Sequence, residues 1–288
     1  MTKTWEEKYI EVDGVRAHYN ESGAGETVVL IHGGGETSCA ELNYGAIMGP
    51  LGKHFRVIAP DCVGFGLTPG RAPQDYSANA QGAFVVKMLR AIGVRKAAVG
   101  GNSHGGWLCQ YVAHEAPDMV THLVVINSLN GTYPIPPAPL GYRFIYGKQG
   151  HPHEDPTEEK ERESLLKFYF NKSTVTDQRV KRYVEIARLN VEFARARAIA
   201  TSSTIDDANR NLEYKGKHIS DWAGDLRVPV LMTWSRENRG ASPADAMPFF
   251  NRLKNAEMHV FVDAGHHVQT EHPERWSQVV ADFLRNKR

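Results

Sequence analysis

The sequence predicts an α/β protein, with a mostly parallel sheet of eight strands flanked by helices and a helical segment inserted before the last two strands. Short apolar runs alternate with stretches in which apolar residues recur every three or four positions, which is typical of a parallel sheet covered by helices on both faces. The alternation stops between about residues 131 and 216, where a proline cluster at 134–139 precedes polar, helix-like sequence.

The chain opens with a predicted β-hairpin, because the strand-like residues 9–12 and 15–19 flank Asp13 and Gly14, a two-residue turn signal. The clearest helical pattern covers residues 79–91. In parallel sheets ligands bind at the carboxyl ends of the strands, so we expect the site in the loops that follow them. Six further apolar runs are strand candidates, at residues 27–32, 56–61, 97–100, 123–127, 230–234 and 258–262.

A single core interrupted by a lid is the expected domain organisation. Residues 1–132 and 216–288 form the two parts of the core, and residues 133–215 form a helical lid over the site, with helices at about 157–170 and 176–200. A chain of 288 residues, 41% of them hydrophobic, is long enough to bury one large core with such an insertion.

The composition indicates a small-molecule substrate and argues against nucleic acid and membrane partners. The formal net charge is only +1, and no basic stripe with interleaved aromatic residues occurs. Residues 1–8 carry charges where a signal peptide would be apolar, and the chain has no apolar run long enough to span a membrane. We therefore expect a cytoplasmic protein.

Neither a metal nor a cofactor is expected. Cys39, Cys62 and Cys109 lack metal-ligand spacing and suit a reducing compartment, where they would serve as small hydrophobic residues. His151 and His153 lie on a proline-broken loop without a third ligand in register, a setting in which histidines are usually solvated.

The most informative motif is the Gly-Asn-Ser-His-Gly pentapeptide at residues 101–105, between a predicted strand and a helix-like stretch. In this context Gly-X-Ser-X-Gly predicts a nucleophile elbow, a tight turn that holds its serine in a strained conformation while the glycines leave room for the backbone. Ser103 Oγ is then expected to stand exposed at the carboxyl edge of the sheet as the nucleophile.

Two further motifs complete the expected catalytic centre. His266 follows the last predicted strand by a short loop, which places it on the same sheet edge as Ser103, where it can act as general base and acid. The His-Gly-Gly-Gly sequence at 32–35 predicts an oxyanion hole, with the backbone N–H groups of Gly34 and His104 as the two donors.

The third member of a catalytic triad is anomalous. Asn238 stands where an aspartate is expected after the strand that ends at Trp234, and Glu237 lies beside it. A neutral amide can fix the tautomer of His266 but cannot stabilise the imidazolium by charge. Three possibilities stay open: Asn238 orients His266, Glu237 turns inward to do so, or the site has moved away from fast acyl chemistry. Asp263 lies too near His266 along the same strand end.

With this order of serine and histidine, the chain resembles the α/β hydrolases and, within them, the meta-cleavage product hydrolases, which split carbon–carbon bonds in vinylogous 1,5-diketones from aromatic-ring degradation. The resemblance covers nearly the whole chain and is weakest in the lid. It is carried by His-Gly-Gly-Gly at 32–35 with Asn43-Tyr44, Asp61 with Gly-Phe-Gly at 64–66, Gly-Asn-Ser at 101–103, Thr-Trp-X-Arg at 233–236, and Gly-His at 265–266 with Glu-His-Pro at 271–273.

The resemblance implies an α/β-hydrolase fold with a lid and a dienolate substrate. The carboxylate and oxo group of that substrate would be held by Asn43, Asn102 and the lid arginine that matches best, Arg182. Gly33 and His267 are further expected substrate contacts. His266 would help to ketonise the dienol, Ser103 would attack the distal carbonyl, and the carbon–carbon bond would break to release a dienoate. Members of that family commonly form homodimers, so the resemblance adds a homodimer to the possible states of this chain.

Three residues depart from the family pattern: His104 replaces the usual methionine, His267 the usual tryptophan, and Asn238 the acid. The two imidazoles predict a more polar pocket and a different distal group or reaction. The alternative enzyme is a serine esterase or lactonase, which needs Ser103 and His266 but no carboxylate clamp. A third possibility is a non-catalytic protein that binds a small molecule on a hydrolase fold.

Overall fold

The computed structural model describes residues 3–35, 37–72, 75, 77–128, 156–191 and 213–286. Within these residues the strands fall into one large sheet and one small hairpin. Their bounds are β1 (Glu6–Val12), β2 (Val15–Ser22), β3 (Thr27–Ile31), β4 (Arg56–Pro60), β5 (Ala97–Asn102), β6 (Val120–Ile126), β7 (Glu213–Tyr214), β8 (Lys217–His218), β9 (Val230–Ser235) and β10 (Ala256–Phe261).

The large sheet has eight strands in the order β1-β2-β4-β3-β5-β6-β9-β10. Strand β2 pairs antiparallel with β1 and with β4, and the remaining pairs are parallel. The predicted eight-stranded, mostly parallel sheet is therefore confirmed. Strand β3 lies between β4 and β5, so the chain reverses its direction of winding at the carboxyl end of β3, where open α/β sheets bind ligands.

Helices cover both faces of this sheet, as predicted. In the described residues their bounds are α1 (Ala40–Gly52), α2 (Ala78–Ala91), α3 (His104–Glu115), α4 (Glu158–Phe168), α5 (Asp177–Leu189), α6 (Pro243–Phe250), α7 (Val268–Glu271) and α8 (Pro273–Arg285). One apolar cluster packs α2 and α3 against the sheet around Trp107, and a second packs α1 and α8 around Trp276. Both tryptophans are fully buried, so the central strands are apolar on both faces.

Helices α4 and α5 come from the segment predicted as a lid. Their apolar side chains pack on the start of α1, in a third cluster that joins Cys39 and Leu42 to Leu165, Val180 and Tyr183. This contact places them over the carboxyl edge of the sheet. The predicted lid limits of 133–215 stay a prediction, because residues 129–155 and 192–212, including the proline cluster, His151 and His153, lie outside the described residues.

The three cysteines are buried and unpaired, as the sequence predicts for small hydrophobic residues. Burial raises the pKa of Cys109 to about 12, so its thiol stays protonated at neutral pH. Across the described ranges, no helix has both the length and the apolar character needed to cross a membrane.

Candidate active site

Ser103 stands at the turn from β5 into α3 with the strained backbone that a nucleophile elbow requires. Its φ and ψ are 55° and −118°, a conformation that costs a non-glycine residue free energy. The turn is tight: a Cβ at Gly101 would lie 2.1 Å from backbone atoms of Gly105, and a Cβ at Gly105 would lie 2.0 Å from the Ile31 carbonyl oxygen. Only glycine fits at either position, which explains why the pentapeptide signals this turn.

The glycine-rich loop after β3 lies directly against the elbow. A Cβ at Gly34 would lie 2.9 Å from the Cβ of His104, so the two predicted oxyanion donors are neighbours. His32 fixes the loop, since its Nε2 accepts the Cys62 N–H at 3.0 Å and its Nδ1 then donates to the Gly33 carbonyl at 2.7 Å. Asn43 Oδ1 accepts the Gly33 N–H at 3.2 Å.

Two asparagines hold the backbone of His266 on the same edge. Asn102, the residue before Ser103, donates through Nδ2 to the His266 carbonyl at 3.2 Å, and Asn127 donates to the same oxygen at 3.1 Å. Asn127, at the end of β6 with a φ of 43°, also bonds both the N–H and the hydroxyl of Ser235. Sequence reasoning missed Asn127, although its place directly after an apolar strand was an available signal.

Ser103 and His266 are thus brought to one edge through Asn102. Among the described residues no hydrogen bond joins Ser103 Oγ to the His266 ring. Such bonds are often long in unliganded enzymes and shorten when substrate binds. The structure assigns both donors of Asn102 Nδ2 to the protein, to the Ile126 and His266 carbonyls. The expected contact of Asn102 with substrate therefore stays a prediction, and the observed role of its amide is to hold His266.

The third position is occupied by Asn238, whose Oδ1 lies 3.3 Å from His266 Nδ1. The same oxygen accepts the Gly240 N–H at 3.2 Å. Because this backbone donor requires an oxygen opposite it, the amide must present Oδ1 and not Nδ2 to the ring. His266 then carries its proton on Nδ1, which leaves the Nε2 lone pair to act as base. Asn238 is buried, and its Nδ2 has no partner among the described residues.

Glu237 points elsewhere. Its carboxylate accepts from Arg236 Nε at 2.7 Å and from the Ala264 N–H at 3.4 Å. Burial alone would raise the pKa of this carboxyl, but the hydrogen bonds from Arg236 and Ala264 outweigh burial and lower it. Of the two adjacent candidates, the structure therefore brings Asn238 and not Glu237 to His266.

The environment keeps both site histidines neutral. Desolvation lowers the pKa of His266 to about 4, and no carboxylate of the described residues opposes it by favouring the imidazolium. The pKa of His267 is also well below its ordinary value, through burial first and then through the nearby His266 and Arg179. At neutral pH His266 is ready to accept a proton without first losing one.

The two additional imidazoles occupy different surroundings. The ring of His104 turns to Gln81, with 2.8 Å between His104 Nε2 and Gln81 Oε1, and stacks parallel to Trp107. The ring of His267 stacks on Tyr169 of the lid, with its centroid 5.2 Å away, and meets His266 edge-on at the same distance. Of these two imidazoles, His267 and not His104 contacts both His266 and the lid.

Two lid arginines on α5 face different partners. Arg182, the residue expected to bind a substrate carboxylate, bonds the Glu41 carboxylate, with Nη2 2.7 Å from Oε2, and also reaches Glu185. Arg179 donates to the Tyr169 hydroxyl at 3.0 Å, and its charge acts on His267. Arg182 therefore joins the lid to α1, while Arg179 lies beside Tyr169, whose ring stacks on that of His267. Sequence reasoning missed Arg179.

A cavity of about 350 Å³ borders the histidine loop at Gly265. It is lined by Phe168, Phe170 and Glu237 and by three cationic side chains, and neither Ser103 nor His266 contributes to its wall. No group of three or more His, Cys, Asp or Glu side chains in the described part of the chain could hold a metal ion.

Comparison with known proteins agrees with this geometry. A family model described as alpha/beta hydrolase fold matches residues 26–273. A 2-hydroxy-6-oxononadienedioate/2-hydroxy-6-oxononatrienedioate hydrolase of Paraburkholderia phymatum is 29% identical, over 96% of this chain and 95% of its own. A 2-hydroxymuconate semialdehyde hydrolase of Pseudomonas is 28% identical, over 94% and 91%. A solved meta-cleavage product hydrolase of Pseudomonas fluorescens superposes with a TM-score of 0.82 at 25% identity, over 98% of each chain.

Proposed function

The chain belongs to the α/β-hydrolase fold family, and on that premise we propose that it is a serine-dependent hydrolase that cleaves a carbon–carbon bond in a vinylogous 1,5-diketone, a meta ring-fission product of aromatic degradation. One observation carries this proposal. Ser103 stands at a nucleophile elbow beside an oxyanion loop, and His266 is held with its proton on Nδ1, so that Nε2 is free to act as base. The names of the relatives supply the substrate class.

His266 Nε2 moves the protons of the reaction. It first assists ketonisation, in which the proton of the dienol hydroxyl is transferred to carbon next to the distal carbonyl. It then takes the proton of Ser103 as Oγ attacks that carbonyl. The bond between the carbonyl carbon and its neighbour breaks, the electron pair leaves with the dienolate, and the His266 imidazolium returns its proton to that dienolate, which departs as the hydroxydienoate and leaves an acyl-serine with a neutral His266. Water, deprotonated by His266, releases the acyl group as a carboxylic acid.

The oxyanion formed in each addition step is proposed to be bound by the N–H groups of Gly34 and His104. These donors lie on a loop and a helix terminus that pack directly on each other, so they need little reorganisation as charge develops. Gly33 supports this loop through its bonds to His32 and Asn43.

Asn238 is proposed as the third member of the triad. It fixes the tautomer and the orientation of His266 but offers no negative charge to the imidazolium, so the chemical steps are slower than an aspartate would allow. Glu237 supports the loop at Ala264 and takes no direct part.

The substrate carboxylate needs a cationic or amide clamp. Asn43 offers its Nδ2, since its Oδ1 is used by Gly33. Arg182 is the clamp that the resemblance implies, but its guanidinium is already bound to Glu41. Arg179 donates to the hydroxyl of Tyr169, the residue that stacks on His267, and is bound to no carboxylate of the described residues, so we propose it as the lid cation of the substrate site. His267, which stacks on Tyr169 of the lid, is proposed to contact the distal part of the substrate.

A substrate panel tests this proposal against a serine esterase on the same fold. Purified protein is incubated with 2-hydroxy-6-oxohepta-2,4-dienoate and, separately, with p-nitrophenyl acetate, and the products are identified by mass spectrometry. Formation of 2-hydroxypenta-2,4-dienoate and acetate in equal amounts supports carbon–carbon cleavage. Turnover of the ester alone would favour the esterase, and binding of either compound without products would favour a non-catalytic binding protein.

Sedimentation of the same sample tests pairing of two copies, and fractionation of cells tests the cytoplasmic location.

A further inference from the structure

Glu271 makes contacts that the proposed chemistry does not use. It lies at the end of α7, four residues after His267, and its carboxylate folds back onto the loop that carries His266. Oε1 accepts the Gly265 N–H at 2.6 Å. Oε2 accepts the Asn171 N–H from the lid segment at 2.8 Å, and the backbone of Phe170 donates to the same carboxylate.

The lid segment and the histidine loop also touch directly. The His266 N–H donates to the Phe168 carbonyl at 2.7 Å. A Cβ at Gly265 would lie 2.2 Å from that same oxygen and 2.8 Å from the backbone nitrogen of Phe170. The lid segment and the histidine loop therefore run side by side at a position where only glycine fits. The Glu271 carboxylate bonds the backbone of both segments beside this contact.

We propose that Glu271 is a positioning residue that couples docking of the lid segment, residues 168–171, to placement of the catalytic His266. The inference rests on the proposed function only in taking His266 as the base for Ser103. Three backbone N–H groups from two separate parts of the chain converge on one half-buried carboxylate, and such charge-assisted bonds hold geometry better than neutral ones. An undocked lid segment leaves both the carboxylate and the Gly265–His266 backbone short of partners.

Glu271 acts on His266 through the backbone and not through its charge. The pKa of His266 is set by desolvation, with no contribution from Glu271. The carboxylate bonds Gly265, and Asn102 and Asn127 hold the His266 carbonyl from the core side. Removal of the lid-side support is then expected to misplace the ring and, because desolvation sets the pKa of His266, to leave that pKa unchanged or to raise it as the ring becomes more exposed. A carboxylate that acted on His266 by its field would favour the imidazolium, so its removal would lower that pKa instead.

The test measures the rate at which a fluorophosphonate labels Ser103, because this reaction needs the His266 base but no particular substrate. Wild type is compared with Glu271→Ala, with Glu271→Gln, which keeps one acceptor oxygen, and with Glu274→Ala, an exposed glutamate of the neighbouring helix. Ser103→Ala controls for the site of labelling. Hydrogen exchange is followed in parallel in peptides that cover residues 165–172 and 262–268.

The coupling predicts that Glu271→Ala labels about tenfold to 100-fold more slowly, that Glu271→Gln is intermediate, and that Glu274→Ala equals wild type. The pH midpoint of labelling is expected to stay unchanged or to rise, and not to fall, and hydrogen exchange should become faster in both peptides together. Labelling of Glu271→Ala at the wild-type rate, or faster exchange in one peptide alone, would overturn the proposal. If wild type itself is not labelled, the proposed function fails, and the exchange of the two peptides alone decides the coupling.

Discussion

Asn238 Oδ1 lies 3.3 Å from His266 Nδ1, in the position where a triad carboxylate would stand. The Gly240 N–H holds the same oxygen and so fixes which end of the amide faces the ring. The pair has the geometry of a triad without its charge. The low pKa of His266 has the same origin, since burial acts on this ring and no anionic partner within the described ranges opposes it.

Asn238→Asp is expected to raise both the pKa of His266 and the rate of the chemical step. The carboxylate would stabilise the imidazolium that forms when Ser103 is deprotonated, and kcat is expected to rise at least about tenfold, within the roughly 10⁴-fold range seen for the reverse change in a serine protease. Steady-state kinetics at several pH values measures both effects. An unchanged or lower kcat in a folded variant would show that the neutral amide is not what limits the reaction.

Glu237→Gln serves as the matched control. Because this side chain bonds Arg236 and the Ala264 backbone and not His266, its kcat is expected to stay within about twofold of wild type. A loss as large as that of a triad member would identify Glu237, and not Asn238, as the partner of His266.

The activity is expected to persist to unusually acidic pH. A base must be unprotonated to work, and the pKa of His266 is lowered to about 4, so kcat/KM should be flat from neutral pH down to about pH 5 and fall below it. The profile of kcat/KM against pH, with stability checked at each point, measures this limb. A midpoint near the ordinary histidine value of about 6.5 would contradict the proposed environment.

Arg179→Ala is expected to weaken substrate binding more than Arg182→Ala. A charge-assisted bond to a carboxylate contributes about 1.5–3 kcal/mol, so KM should rise about tenfold to 100-fold when Arg179 is removed. Loss of Arg182 breaks a partly exposed pair with Glu41, worth about 1 kcal/mol or less in stability. A larger rise in KM for Arg182→Ala than for Arg179→Ala would identify Arg182 as the residue that binds the substrate carboxylate.

Asn127→Gly is expected to lower both stability and kcat. Glycine keeps the positive φ of 43° without strain, so the variant removes only the amide that bonds Ser235 and the His266 carbonyl. Loss of these buried bonds should lower the free energy of unfolding by about 1–3 kcal/mol. Urea unfolding and kcat measured together test this, and wild-type values for both would show that Asn102 alone holds the loop.

The sheet and the elbow could be predicted because their signals are local. An apolar run of five or six residues reports a buried parallel strand, and the glycines around Ser103 report a turn in which a Cβ would collide with backbone. The predicted strand at 97–100 continues in the structure to Asn102, since the small residues before the serine still pair with β3 and β6.

The choice between neighbours could not be predicted. Asn238 and Glu237 are adjacent in one loop, and contacts with Gly240 and Ala264 decide which faces His266. Arg179 and Arg182 lie about one turn apart on α5, and only the position of Glu41 on α1 shows which of them is already paired. Such decisions depend on contacts between residues far apart in the sequence.

The most direct test of the central claim is a stopped-flow absorbance trace of a yellow ring-fission product mixed with excess enzyme, recorded for wild type and for Ser103→Ala. We expect the dienolate band to decay with wild type, with release of one carboxylic acid per substrate, and no acid to be released by the variant. Acid release by Ser103→Ala at the wild-type rate, or a band that neither protein changes, would contradict serine-dependent carbon–carbon hydrolysis.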